Sequence, residues 1–239
     1  MSKLLVAVLG RGIQMRDPHA DPTKVESYVP TGDTEICRRD PETNRLSHLR
    51  VRVPADDDHP DSIIGGGELN LLAGETLIEN AMPECVVCAY GARSDYLKPD
   101  GPSESEVMSR RLSERTFHYR PVVETWERNR ELLGPSNTAQ EFINILDLAV
   151  ERNCEKVIIV TVGVHVPRAA VFLNEAIAMG GVKYNKLSPP VLLRSEAYLL
   201  EANSYKWGPR VEALWKSKSF ARNWERETRG MGDWIRNQY

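Results

Sequence analysis

Three apolar runs constrain this 239-residue chain more than any other feature: LLVAVLG at 4–10, CVVCAYG at 85–91 and KVIIVTVG at 156–163. A strand with one wet face alternates apolar and polar residues, whereas these runs are apolar nearly throughout. Both faces must therefore be covered, as in a parallel sheet held between helices. Helical patterns lie between and after the runs. Residues 67–81 place Leu69, Leu72, Leu77 and Ile78 near one face, and 103–115 opens with serine and glutamates suited to a helix N-terminus. Residues 136–153 repeat Phe142, Ile145, Leu146 and Ala149 at helical spacing, with Ser136 or Asn137 able to cap and Asn153 able to close the turn. A fourth helix, 167–179, starts at Pro167 and stops at the glycine pair 180–181. Strand alternating with helix predicts right-handed crossovers, hence an α/β, Rossmann-like three-layer sandwich with a mostly parallel sheet. HYRPVVE (118–124) and PPVLLRS (189–195) extend that sheet.

Two segments stand outside the pattern. Residues 11–66 are rich in Asp, Pro, Thr and Arg and hold only a short alternating piece, HLRVRV, compatible with an edge hairpin. They form a long excursion over the carboxyl end of strand one, either a lid or a solvated insertion. The main domain is expected to span 1–195 and a helical appendage 196–239. Residues 206–239 hold Trp207, Trp215, Trp224 and Trp234, and eight basic against four acidic residues, in a protein of net charge −3. Arg222, Arg226 and Arg229 would line one helical face, with Trp224 turned elsewhere. The expected role is packing of the tryptophans on the main domain with the arginines exposed, including self-association as a homodimer; the acidic remainder of the chain argues against nucleic acid.

No run approaches the roughly 18 apolar residues of a membrane span, so no membrane partner is expected. The first apolar run reads as a strand, not a signal peptide. Four cysteines without a regular framework fit a reducing cytoplasm. Cys85 and Cys88 have redox spacing, but residues three apart on a strand face opposite ways, so both are expected as buried core residues.

Ligands of an open parallel sheet bind beyond the strands' carboxyl ends. The residues there are Gly10, Arg11 and Gly12 after the first run, Gly91 and Arg93 followed by Ser103 and Glu104 after the second, Glu124 after 118–123, and His165 and Arg168 after the third. Glycines admit a ligand to the backbone, helix N-termini offer free amides, and guanidinium groups grip phosphate or carboxylate with two bonds. The set describes a crevice for an anion. Neither a dinucleotide glycine motif nor a P-loop occurs, no serine lies in a nucleophile elbow, and the five histidines have no metal-ligand spacing, so no histidine or cysteine metal site is expected, with an Asp/Glu site for magnesium left as the alternative.

Four blocks in order, VLGRG, GPSESEVM, a glutamate followed by SNTAQEF, and VTVGVHVPRAAVFL, resemble the YdcF/SanA-like family, a domain of unknown function with a Rossmann-like fold. The likeness covers roughly residues 3–10 and 84–173 and marks Glu104, Glu124, Asn137, Thr138, His165 and Arg168 as pocket residues. The chain departs from the family at Ala89, Tyr90 and Gly91, where Ser-Gly-Gly is usual, and at Glu141, where an asparagine is usual. The resemblance implies a pocket for nucleotide-like small molecules, S-adenosylmethionine or a nucleotide among them, with no settled reaction.

Two functions are consistent with these residues. One is an enzyme acting on a phosphorylated or nucleotide-like ligand by hydrolysis or group transfer, with Glu104, Glu124 and His165 handling protons and Gly10, Arg11, Gly12, Gly91, Arg93, Ser103, Asn137, Thr138 and Arg168 binding the ligand. The other is a non-catalytic nucleotide- or S-adenosylmethionine-binding regulator using the same crevice.

Overall fold

The computed structural model describes residues 3–15, 20–30, 35–39, 46–52, 66–89, 101–116, 122–123, 138–216 and 218–235. Its centre is a five-stranded sheet of β1 (Leu4–Leu9), β6 (Cys85–Ala89), β7 (Val122–Val123), β8 (Lys156–Thr161) and β9 (Val191–Arg194), in the order β7-β6-β1-β8-β9. Every pairing is parallel, with Leu5 opposite both Cys85 and Val157. Numbering these strands by appearance gives the order 3-2-1-4-5. The order reverses between β1 and β8, which opens a crevice at their carboxyl ends.

Side chains from alternate positions feed two separate cores, as the pleat requires. On one face Val6, Val8, Val86, Cys88 and Val160 pack against α1 (Gly67–Ala81) and α2 (Glu104–Arg115), and Leu199 of α5 (Ser195–Lys216) closes the layer. On the other, Leu5, Ala7, Cys85, Val87, Val157 and Ile159 meet α3 (Thr138–Glu151) and α4 (Val166–Gly180). This is the three-layer α/β/α sandwich read from the apolar runs. Cys85 and Cys88 fall in opposite cores, neither in a disulfide, and burial pushes the Cys88 thiol up to about 12.

Local signals placed most helix ends. Ser103 caps α2 in a reciprocal box with Glu106, and Asn153 takes a positive φ of 53° just after α3. The α1 face is wider than its four periodic residues imply. Asn70, Leu71, Ala73 and Gly74 are buried as well, because α1 lies between the sheet, α2 and α5. Gly66, at φ +80°, starts this helix, and a Cβ there would meet Val162 Cγ1 at 2.5 Å, so the helix start is pressed against the end of β8.

Within the 11–66 excursion, β2 (Ile13–Met15) pairs antiparallel with β3 (Tyr28–Pro30), and β4 (Glu35–Arg39) with β5 (Leu46–Arg52). The alternating HLRVRV piece is thus part of a two-stranded sheet of its own and not an edge of the main one. α5 breaks at Asn203, whose φ of −162° leaves the helical region while its side chain accepts from the Lys206 amide at 2.9 Å. A final helix, α6 (Lys218–Ile235), then returns over the turn at Gly163–His165 and the start of α4. Among the described residues no helix is long and apolar enough to cross a membrane.

Candidate functional site

The crevice between β1 and β8 gathers charge. β1 ends at Leu9, and the buried Asn70 of α1 donates from Nδ2 to the Leu9 carbonyl at 2.9 Å while Ser195 Oγ donates to Asn70 Oδ1 at 2.6 Å. These bonds fix the strand end that carries Gly10 and Arg11. At the end of β8, both carboxylate oxygens of the buried Glu196 accept from the Gly163 amide, at 2.8 and 3.0 Å. That bond holds the three-residue turn from which His165 and then Arg168, on the first turn of α4, face the crevice. His165 precedes α4 without capping it through its side chain.

Into this crevice α6 inserts Glu227. Arg11 Nη2 donates to Glu227 Oε1 at 2.9 Å, and Arg168 Nε lies 2.7 Å from Oε2, a charge contact whose N–H is not aligned as a hydrogen bond. His165 Nδ1 is 3.1 Å from Oε2, and Arg11 Nη1 and Arg168 Nη2 approach the same nitrogen at 3.2 and 3.5 Å. Nδ1 carries either a proton for Glu227 or a lone pair for an arginine, not both at once. Glu227 is only 5% exposed and His165 3%. Burial and then the Arg11 charge lower His165 to about 4, against the pull of Glu227, so the imidazole is neutral at pH 7. Burial alone would raise Glu227, but the His165 hydrogen bond and the charges of Arg11, His165 and Arg168 bring it down to about 2. Above pH 4, where His165 is neutral, the two arginines supply that charge stabilisation.

Two more carboxyl groups sit at the rim with partial solvent access, Glu104 at the start of α2 and Glu141 in the first turn of α3. Gly10 lets Glu104 approach the backbone, since a Cβ there would overlap Oε2 of Glu104. Burial raises Glu104, opposed by the Gly12 amide and Arg11. Burial, followed by the neighbouring Glu104 charge, holds Glu141 well above the ordinary carboxylate range, against Arg168 and Arg11. The crevice therefore combines a neutral imidazole with carboxyl groups that favour retaining a proton, a split suited to a base and an acid working at one pH.

Of the residues read from the sequence, the structure brings together Gly10, Arg11, Gly12, Glu104, His165 and Arg168. Ser103 serves as a cap, its hydroxyl accepting from the Glu106 amide at 3.3 Å and lying 3.0 Å from Ser105 Oγ. Thr138 begins α3, partly exposed. Gly91, Arg93, Glu124 and Asn137, with Ser94 and Ser136, lie outside the described residues. Arg168 faces Glu227, a partner that the sequence did not indicate. Glu227, Asn70 and Glu196 were not legible, because each acts through partners more than 30 positions away. A sequence trace of Glu227 is its i, i+4 spacing from Asn223, both buried polar residues on one face of α6. Among the described residues no group of three or more His, Cys, Asp or Glu side chains is arranged to hold a metal ion.

No family model, curated protein or solved structure matches the chain.

Proposed function

We propose that the chain is an enzyme acting on an anionic small molecule, phosphorylated or nucleotide-like, by hydrolysis or group transfer at the β1/β8 crevice. The observation that carries this reading is the internal carboxylate of Glu227, held by Arg11 and Arg168 beside His165. A crevice that stabilises a carboxylate down to about pH 2 is built for negative charge, and a ligand phosphate or carboxylate can exchange with it. The resemblance to the YdcF/SanA-like family, with Glu104, His165 and Arg168 among its matching positions, supports the same placement of the pocket.

In this reading Arg11 and Arg168 bind the anion and stabilise charge that develops on it. With its Nδ1 proton donated to Glu227 or, after exchange, to the ligand anion, His165 keeps a lone pair on the other ring nitrogen, which accepts a proton from water or a ligand hydroxyl. Glu104 or Glu141 returns a proton to the leaving group. S-adenosylmethionine is cationic overall through its sulfonium and ammonium groups, but it presents a carboxylate that the same arginines can hold.

The test is incubation of the purified protein with nucleotides, sugar phosphates and S-adenosylmethionine, following ligand loss and product by chromatography. Turnover abolished by His165→Ala is the expected result. Saturable binding without product would overturn catalysis and favour the second reading, a binding or regulatory protein. One observation favours that second reading: Glu227 engages both arginines and the imidazole at once, leaving the polar groups partnered within the chain.

A further inference from the structure

Beside the anion crevice lies a second concavity. It measures about 530 Å³ and is lined by Val164, Arg194, Glu196, Trp215, Phe220 and Trp224, within the roughly 300–1,000 Å³ range of small-molecule sites. We infer that this cavity receives the flat heteroaromatic end of the ligand whose anionic end the crevice holds. The substrate class is thereby narrowed to nucleotide-type molecules. The inference rests on the anion reading above and extends it to Arg194, Glu196, Trp215, Phe220 and Trp224, which neither the three apolar runs nor the family likeness indicated.

Three observations carry it. The first is aromatic surface left open. Trp215 and Trp224 are 51% and 50% exposed although both line the cavity, and Phe220 is only partly buried beside them. Large indoles held half open around a concavity offer π-faces to a planar ring, which stacks on them irrespective of its substituents.

The second is a polar edge. The Glu196 carboxyl group lines the cavity while accepting the Gly163 amide; burial raises it, opposed by its own amide, the Gly163 amide and Arg194. An N–H or amino edge of a heterocycle meets this acceptor, and the exposed Arg194 at the end of β9 adds a cation at the mouth.

The third is continuity with the crevice. Gly163 and Val164 line the cavity, and His165, the next residue of the same turn, lines the crevice. Their Cα atoms are at most about 8 Å apart, two peptide steps. On α6 the same junction is spanned by Trp224 and Glu227, three residues apart and therefore neighbours on the helix. A molecule with a ring at one end and an anion at the other bridges the two without leaving the protein surface.

The experiment is calorimetric titration of the full chain with three probes: inorganic phosphate for the crevice, adenosine for the cavity, and adenosine monophosphate for both. The monophosphate is expected to bind at least about tenfold more tightly than either part, and Trp224→Ala to weaken it and adenosine by about tenfold while sparing phosphate, the loss of one stacking face. Arg168→Ala is expected to weaken the monophosphate and phosphate while sparing adenosine. Trp224 is half exposed, so its replacement leaves the core untouched, and the retained phosphate affinity reports that the variant is folded. If phosphate binds while the monophosphate binds no better and Trp224→Ala changes nothing, the cavity inference is overturned and the anion reading stands. If adenosine binds through Trp224 while phosphate adds nothing, the anion reading is overturned and the cavity remains a nucleoside site. Binding of none of the three overturns both.

Discussion

Glu227 and His165 titrate away from their ordinary values in the same direction, and the consequence for stability has a definite sign. Glu227 falls from 4.5 to about 2, so its contribution is complete above pH 4.5 and is lost as the pH drops toward 2. His165 falls from 6.5 to about 4, so the folded protein resists its protonation, and stability erodes as the pH drops from 6.5 to 4. Glu141 runs the other way: it holds its proton above 4.5 in the folded chain, so its share declines as the pH rises through that range. Glu227→Gln is therefore expected to lower the thermal midpoint at pH 7 and to flatten its dependence between pH 4.5 and 2. Scans across that range decide it, and an acid limb as steep as that of the parent chain would refute the assignment. Arg168→Lys keeps the charge but removes the planar fork, and is expected to weaken phosphate binding by about tenfold, the worth of one charge-assisted hydrogen bond. Calorimetry gives the affinity, and an unchanged value would show that charge alone suffices there.

Helices meet this site through their ends and through one polar stripe. α2 begins beside the crevice, and the hydroxyl of its cap residue Ser103, a ligand candidate on sequence grounds, bonds to the helix start. Ser103→Ala is expected to cost about 1 kcal/mol of stability and to leave phosphate affinity unchanged; denaturant titration and calorimetry together separate the two roles. α6 docks through Asn223, Glu227 and Gly230, while Arg226 and Arg229 are exposed as expected for the arginine face. The expectation that the tail packs its tryptophans on the main domain holds for Trp207, which is partly buried against the core, and not for Trp215 and Trp224, which stay half exposed, while the side chain of Trp234 lies outside the described ones. On α6 the buried positions Asn223 and Glu227 are polar, Glu227 meeting Arg11, Arg168 and His165, while Trp224 lines the flanking cavity with Trp215 of α5.

Across the whole molecule stability rests on two apolar layers that share β1, β6 and β8. α1 lies so close to this sheet that a Cβ on Gly74 would meet Val8 Cγ2 at 2.6 Å. Gly74→Ala is thus expected to cost about 1–3 kcal/mol through overpacking, despite the better helix propensity of alanine, as read by chemical denaturation. A stabilised variant would mean that the layers can part without cost. The sequence alone determined this sandwich, because continuous apolarity over six or seven residues leaves a strand no wet face, and alternation with amphipathic helices leaves the sheet only parallel crossovers. It also placed Arg11, Glu104, His165 and Arg168 at strand ends, since ligand position in such sheets follows from chain direction. Tertiary structure alone decided what those groups face. Whether Arg168 answers Glu104, Glu124 or Glu227 depends on where a helix some 60 residues later comes to lie, and local periodicity carries no information about that distance. The same holds for the open indoles of Trp215 on α5 and Trp224 on α6, whose exposure is set by how the two helices lie and not by their own hydrophobicity.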